Sequence, residues 1–309
     1  MTAHALVVGE ALVDVVRRLN GKVDAHPGGS PANVAIGLGR LGREVELLAY
    51  LADDENGALV REHLAASGVA LAAGTLDAER TSVATANLDA TGAATYDFDL
   101  TWDLAQTAAP RDNPLVVHTG SIAAVLAPGA ARVRALVEGL RATATVTYDP
   151  NARPTLMGNP ADARVAIEEM VALADVVKVS DEDIEWLAGE VGDGVVDRVA
   201  RGWLALGPAL VVVTRGGKGA TAFVADGREF TVAAPSVTVA DTVGAGDSFM
   251  GGLIDGLWSA GVLGADRREA ISQLADDVLT AILERCVRIA AITVSRPGAN
   301  PPSSIELGE

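Results

Sequence analysis

Short Val-rich runs at residues 5–9, 115–118, 145–148, 175–179 and 210–214 set the tightest limit on how this chain can fold. Runs of four or five strand-forming residues that stop at a glycine or a polar loop read as buried strands of a parallel sheet. From residue 115 onward they alternate with stretches of three- and four-residue apolar spacing, read as helices over 128–141, 160–173, 184–187 and 195–206. Such alternation predicts an α/β domain with helices on both faces of a mostly parallel sheet. Ligands of these sheets bind beyond the carboxyl ends of the strands. The residues to watch are therefore Gly9, Glu10 and Asp14, then Asn151 and Arg153 on a loop stiffened by Pro150 and Pro154. The polar cluster at 180–183 and the glycine-rich segment at 215–219 occupy equivalent strand ends.

Two glycine turns stand before helical patterns. In Gly244-Ala245-Gly246-Asp247, the glycines let first-turn N–H groups converge into an anion site. Asp247 then has two readings, a base that accepts a proton from an attacking hydroxyl or a plain helix N-cap. In Gly28-Gly29-Ser30-Pro31-Ala32-Asn33, Ser30 reads as N-cap, Pro31 as the first helical residue and Gly42 as the stop. Asn33, in the first turn, either meets ligand hydroxyls or serves the helix start. The cluster 180–183 either holds a metal or caps a helix. The 215–219 loop could seat a nucleotide but lacks Walker spacing, and Gly9 opens no dinucleotide fingerprint.

Elsewhere the pattern departs from simple alternation. A hairpin is read around Asn20-Gly21, and strands at 82–88 and 93–100 flank a turn at Ala90-Thr91-Gly92. These form a small β appendage, suited to a lid that excludes water, with Tyr96, Phe98 and Trp102 on its underside or packed within it. Further strands are read at 45–51, 220–225 and 228–232, and helices at 57–67 and 266–290. The net charge of −17 comes without a basic cluster, which argues against nucleic acid and anionic membranes as partners. A single cysteine, Cys286, allows no internal disulfide and fits a reducing, cytoplasmic setting. No secretory signal pattern is visible, no apolar run nears the ~18 residues of a membrane span, and the four histidines lack zinc-ligand spacing.

Gly28-Gly29-Ser30-Pro31-Ala32-Asn33-Val34-Ala35 through Leu41-Gly42, followed more than half the chain later by Asp241-Thr242-Val243-Gly244-Ala245-Gly246-Asp247-Ser248-Phe249, resemble the two motifs of the ribokinase/PfkB-type carbohydrate kinases. The resemblance covers nearly the whole chain. It implies one ribokinase-like domain over 1–309: a three-layer α/β/α fold with a mostly parallel central sheet and a β lid drawn from roughly 12–25 and 82–100. It implies transfer of the ATP γ-phosphoryl group to a sugar hydroxyl, with Asp247 as catalytic base and the amides around Gly244, Ala245 and Gly246 as anion hole. By the same resemblance Asp14, Gly28, Gly29, Asn33, Phe98 and Arg153 meet the sugar. Lys178, Ser180, Thr214, Gly216, Gly219 and Asn300 fall on the nucleotide side, with Mg2+ as cofactor, Asp183 as its candidate ligand, and K+ as a further ion near the anion hole. Many members carry Asn-x-x-Glu where this chain has Ser180 and Asp183, which keep a carboxylate on a shorter arm and lose an amide. A homodimer through the lid is also implied.

Within the family, Gly9-Glu10-Ala11-Leu12-Val13-Asp14 and Asp149-Pro150-Asn151-Ala152-Arg153-Pro154 are most similar to the fructokinase branch, which implies fructose or a similar neutral ketose. The 2-keto-3-deoxygluconate kinases and nucleoside kinases are the alternatives within the same chemistry. The former tend to carry a Tyr–Arg pair where this chain has Tyr96-Asp97-Phe98-Asp99, and carboxylates there would repel an acidic sugar. A catalytically inert sugar-binding module is the alternative of another class. Retention of Asp247 speaks against it, since a pure binder has no use for the base.

Overall fold

The structure is a computed structural model that describes residues 3–88 and 94–309. The turn expected at Ala90-Thr91-Gly92 lies outside the described residues, as does the Tyr96 side chain. In chain order the strands are β1 (Ala5–Val8), β2 (Leu12–Arg17), β3 (Val23–Gly28), β4 (Val45–Leu48), β5 (Val69–Leu71), β6 (Val83–Leu88) and β7 (Ala94–Asp99). They continue as β8 (Val116–Gly120), β9 (Thr145–Asp149), β10 (Val176–Ser180), β11 (Leu210–Thr214), β12 (Ala220–Val224) and β13 (Glu229–Val232).

Nine strands form one sheet in the order β13-β12-β11-β10-β9-β8-β1-β4-β5. From β11 to β5 every neighbouring pair is parallel, while β12 and β13 run antiparallel at one edge. Strands β1 and β8 to β11 are buried on nearly every successive residue because both their faces are covered. One face carries helices Ser30–Arg40, Ala245–Ser259 and Asp276–Val294. The other carries Gly129–Leu140, Pro160–Val171, Asp181–Ala188 and Asp193–Leu204. The three expected layers are present. β1 lies between β4 and β8, so the chain winds outward in opposite directions from this point, and a crevice opens beyond the ends of β1 and β8.

β2, β3, β6 and β7 make a second, four-stranded sheet in the order β3-β2-β6-β7. β2–β3 and β6–β7 are antiparallel hairpins, and the central β2–β6 pair is parallel. β3 runs to Gly28, farther than the expected 25. Trp102, expected beneath this sheet, is buried in the main core, its indole N–H donating to the Ala123 carbonyl at 3.0 Å.

Two local expectations are corrected. Ser30 is not the N-cap of its helix: Gly29 takes that position at φ 108, where a Cβ would also fall on the Glu10 carbonyl. Residues 266–290 are not one helix but Arg268–Ser272 and Asp276–Val294. The Arg228 guanidinium donates to the Ser272 and Leu274 carbonyls at 2.7 and 2.8 Å, satisfying groups left open by the break. A last helical turn, Ser304–Leu307, opens with a Ser303/Glu306 capping box.

Candidate functional site

The crevice holds a cleft of about 330 Å³. Its walls come from the ends of β1 and β8, the starts of the two glycine-led helices, the loop after β9, and Asp14, Ala84 and Phe98 of the second sheet. Asp14, Gly29, Asn33, Phe98, Arg153, Gly244, Ala245, Gly246 and Asp247, separated widely in sequence, all line it. Gly28 stands just behind, where any Cβ would strike the Asp14 carboxylate.

Asp247 is 5% exposed. The N-cap reading fails for it, because Gly244 caps this helix without any side-chain bond. Gly244 adopts φ 76, and its Cβ would lie 2.5 Å from that of Ala299, so glycine is required by both backbone and space. Asp247 instead collects donors from other elements. Ser30 Oγ donates to its Oδ1 at 2.7 Å, Asn33 Nδ2 to its Oδ2 at 2.8 Å, and Asn151 Nδ2 reaches Oδ1 at 3.4 Å. The first intrahelical donor is Ser248, whose N–H meets the Gly244 carbonyl at 2.9 Å, so the amides of the turn before it have no partner in their own helix, although that of Ala245 makes a long 3.4 Å bond to the Thr242 carbonyl. They converge where the positive end of the helix faces the cleft. Asp241 braces this turn, accepting from Val243 N–H at 3.0 Å and Gly298 N–H at 2.9 Å.

Lys178 does not line the cleft but lies beneath it. Its ammonium sits 2.7 Å from where a Cβ on Gly246 would be, and donates to Asp149 Oδ2 at 2.8 Å inside the core. Burial pushes the Asp149 carboxyl up to about 6 although Lys178 pulls the other way, and its Oδ1 has no protein partner. Glu10, at the end of β1, is pushed up to about 7, by burial first, with the Ser121 hydroxyl and Arg153 opposing. Burial also raises Asp14, against Arg153 and His26.

Of the residues expected on the nucleotide side, Ser180, Thr214, Gly216, Gly219 and Asn300 lie outside the cleft. Ser180 and Thr214 are register partners at the ends of β10 and β11, and Thr214 Oγ1 donates to the Val179 carbonyl at 3.4 Å. Gly216 and Gly219 shape the turn after β11 at φ 50 and 105. The Asn300 side chain is turned toward Arg40, which donates to its Oδ1 at 2.5 Å. In the 180–183 cluster the capping geometry is the one formed: Ser180 Oγ accepts from Asp183 N–H at 3.0 Å. The Asp183 carboxylate is engaged by the backbone amides of Ser180 and, at 3.1 Å, Ala152.

Sequence reasoning missed Ser30, whose Ser-Pro context imitates a helix start, and Ser121, which sits at φ 51 after β8 without any local signature. Asn151 was placed on the right loop, but its contact with Asp247 is purely tertiary.

Comparison with known proteins agrees with this geometry. Fructokinase from Klebsiella pneumoniae is 35% identical over 269 residues, covering 85% of this chain and 87% of that protein. Fructokinase from Rhizobium leguminosarum bv. trifolii is 36% identical over 262 residues, covering 82% and 79%. Among solved structures, aminoimidazole riboside kinase from Salmonella enterica superposes with TM-score 0.78 at 26% identity, covering 99% of this chain and 98% of that one. Fructokinase with bound ATP from Xylella fastidiosa shares the fold at TM-score 0.80 and 24% identity, covering 99% and 97%. With a family model, "pfkB family carbohydrate kinase", matching residues 2–306 over the same elements that build the cleft, this chain belongs to the pfkB family of carbohydrate kinases, phosphotransferases with an alcohol group as acceptor.

Proposed function

We propose that this kinase transfers the γ-phosphoryl group of ATP to a hydroxyl of fructose, with Asp247 as general base. The observation that carries the reading is Asp247 itself, a buried carboxylate at the mouth of a helix N-terminus inside a polar cleft. The sugar oxygen attacks the γ-phosphorus as its proton passes to Asp247, the bond to the β-phosphate oxygen breaks, and ADP leaves. The amides of the 244–246 turn and the Lys178 ammonium meet the charge on the transferring group. Glu10, Asp14 and Asp247 line the cleft against one arginine, Arg153, an arrangement that favours a neutral polyol over a sugar acid. Fructokinase relatives at 35 and 36% identity support fructose within that class.

In this reading Thr214, Gly216, Gly219 and Ser180 border the nucleotide, whose phosphate charge would be neutralised by a bound Mg2+. The unpartnered Oδ1 of Asp149 is a fitting group to help hold that ion, directly or through water. Asp183, tied to two backbone amides, holds the 149–154 loop to the end of β10. The second sheet acts as a lid over the sugar, the enzyme works in the cytoplasm, and two copies meet through the lid, where Leu19 and Val23 are exposed. Among the described residues no helix is long and apolar enough to cross a membrane.

The test is ADP release with fructose, ribose, 2-keto-3-deoxygluconate, adenosine and aminoimidazole riboside as acceptors. The reading expects fructose to give the highest kcat/KM. A riboside preferred over fructose would favour the second reading, suggested by the Salmonella enterica structure. No turnover with any acceptor would return the inert binding module.

A further inference from the structure

A line of hydrogen bonds runs from the cleft wall to Asp247. Arg153 Nη1 donates to Asn151 Oδ1 at 2.6 Å, Asn151 Nδ2 donates to Ser30 Oγ at 2.6 Å, and Ser30 Oγ donates to Asp247 Oδ1 at 2.7 Å. Its direction is forced by the chemistry of its two ends. A guanidinium only donates, so the Asn151 atom beside it is the carbonyl oxygen, and the amide nitrogen faces Ser30. A carboxylate acting as the base only accepts, so the Ser30 hydroxyl donates its hydrogen bond to Asp247 and accepts the one from Asn151. Every donor therefore points the same way, from the cation to the carboxylate, an order in which each bond polarises the next.

The backbone is shaped to hold this line. Asn151 sits at φ 36, a left-handed conformation that asparagine tolerates better than most residues, and Arg153 Nη1 also meets the carbonyls of Asn151 and Ala152. Ser30, freed from capping by Gly29, spends its hydroxyl on Asp247 instead. The relay fixes Oδ1 and leaves Oδ2 with one partner, Asn33 Nδ2, at the sugar side of the cleft. A sugar hydroxyl that takes up Asn33 releases Oδ2 to accept a proton, while Oδ1 stays anchored.

We propose that Arg153, Asn151 and Ser30 form a positioning relay that orients Asp247 for proton transfer, so that Arg153 acts on turnover through Asn151 and Ser30 as well as by facing the sugar. Ser30 and Asn151 are positioning residues and Asp247 remains the group that meets the substrate. This inference rests on the reading of Asp247 as base.

The experiment is a double-mutant cycle on fructose phosphorylation in the full chain, with kcat and KM measured separately for wild type, Ser30→Ala, Arg153→Gln and the double variant. Ser30→Ala is expected to lower kcat about tenfold with KM moved less than about twofold, the split expected when an interaction serves the chemical step rather than binding. Arg153→Gln should raise KM in both backgrounds but lower kcat much less once Ser30 is replaced, because without the hydroxyl the line keeps only the long 3.4 Å contact of Asn151 Nδ2 with Asp247 Oδ1. Asn151→Asp keeps the left-handed backbone and the Arg153 contact but cannot donate to Ser30, and should lower kcat at least as far as Ser30→Ala. Additive kcat losses from Ser30→Ala and Arg153→Gln, or a Ser30→Ala kcat within twofold of wild type, would overturn the relay. Asp247→Asn, assayed alongside, separates the two failures: substantial turnover there removes Asp247 as base, whereas a dead Asp247→Asn with an additive cycle removes only the relay.

Discussion

The two glycine turns of this kinase look alike in sequence yet do different work. Gly28-Gly29 and Gly244-Ala245-Gly246 both open helices on the same face of the sheet, and those helices pack together closely enough that a Cβ on Gly251 would lie 3.5 Å from the Val34 carbonyl. At the first turn, glycine is needed for closeness to neighbouring chain: Gly29 lies on the Glu10 carbonyl and Gly28 against the Asp14 side chain. That closeness brings Ser30 and Asn33 to Asp247. At the second, Gly244 turns the backbone so that amides face outward, and Gly246 leaves room for the Lys178 ammonium. In the proposed reaction the first turn would assemble side chains around the sugar, and the second would turn backbone donors toward the phosphoryl group with the buried Lys178 charge behind them.

That division predicts separable defects. The largest belongs to the residue both turns serve. Asp247→Ala should reduce kcat for fructose phosphorylation by about a thousandfold or more while sugar binding, measured by calorimetry, survives. Near-normal kcat would dissolve the comparison, since nothing would then unite the two turns. Next in size is Gly29→Ala, which forces a side chain into a φ of 108 and onto the Glu10 carbonyl. Denaturant unfolding should show a loss of about 3 kcal/mol, and KM for the sugar should rise more than kcat falls. Unchanged stability and KM would mean the approach to β1 is not needed.

The parts of this fold legible in sequence were those with local signatures. Val-rich runs such as 210–214 stayed strands because burial on both sides demands continuous apolar residues. The strands read at 220–225 and 228–232 pair with each other, and the Asn20-Gly21 turn likewise falls between paired strands. Ser30 was misread because a serine before a proline carries the same local pattern whether it caps a helix or faces a carboxylate across the cleft. The break after Ser272 had no glycine or proline to announce it, since its carbonyls are satisfied by Arg228 from a distant hairpin. The Ser303/Glu306 capping box opens a short helix that was not among the expected elements, although its local pattern is present in the sequence. At the site, Asp247 and its turn could be singled out locally. Its hydrogen bonds to Ser30, Asn33 and Asn151 arise only once three strand-end segments converge.

The second turn can be tested without straining the backbone. Gly246 is already helical, so Gly246→Ala costs little locally, but the new Cβ would meet Lys178 Nζ at 2.7 Å. Lys178 is held by Asp149 at 2.8 Å and cannot retreat freely. The expected result is a fall in kcat of about thirtyfold, roughly 2 kcal/mol, with a raised KM for ATP and an unchanged KM for the sugar. If the sugar KM moved instead, the phosphoryl side and the sugar side would not be separable in this way.

The smallest effect concerns the carboxyl of Glu10, the residue whose backbone carbonyl the first turn is packed against. Glu10 is buried with Oε2 unpartnered, and its folded-state value of about 7 stands above the ordinary 4.5. An acid raised by folding holds its proton longer in the native state than in the unfolded chain. Its contribution is therefore fully present below pH 4.5, declines as pH rises, and is gone above about 7. Between pH 6 and pH 8 wild type should lose about 1.4 kcal/mol from this group, about one pH unit of the linkage slope. Asp149 behaves in the same sense, but its folded value of about 6 leaves little to lose in that interval. Glu10→Gln keeps the shape and removes the ionisation, so its unfolding free energy should lack the 1.4 kcal/mol decline while Asp247-dependent turnover persists. A decline of the same size in both proteins would assign the pH dependence to another group. It would leave the first turn resting on the Glu10 backbone alone, with no part for its carboxyl.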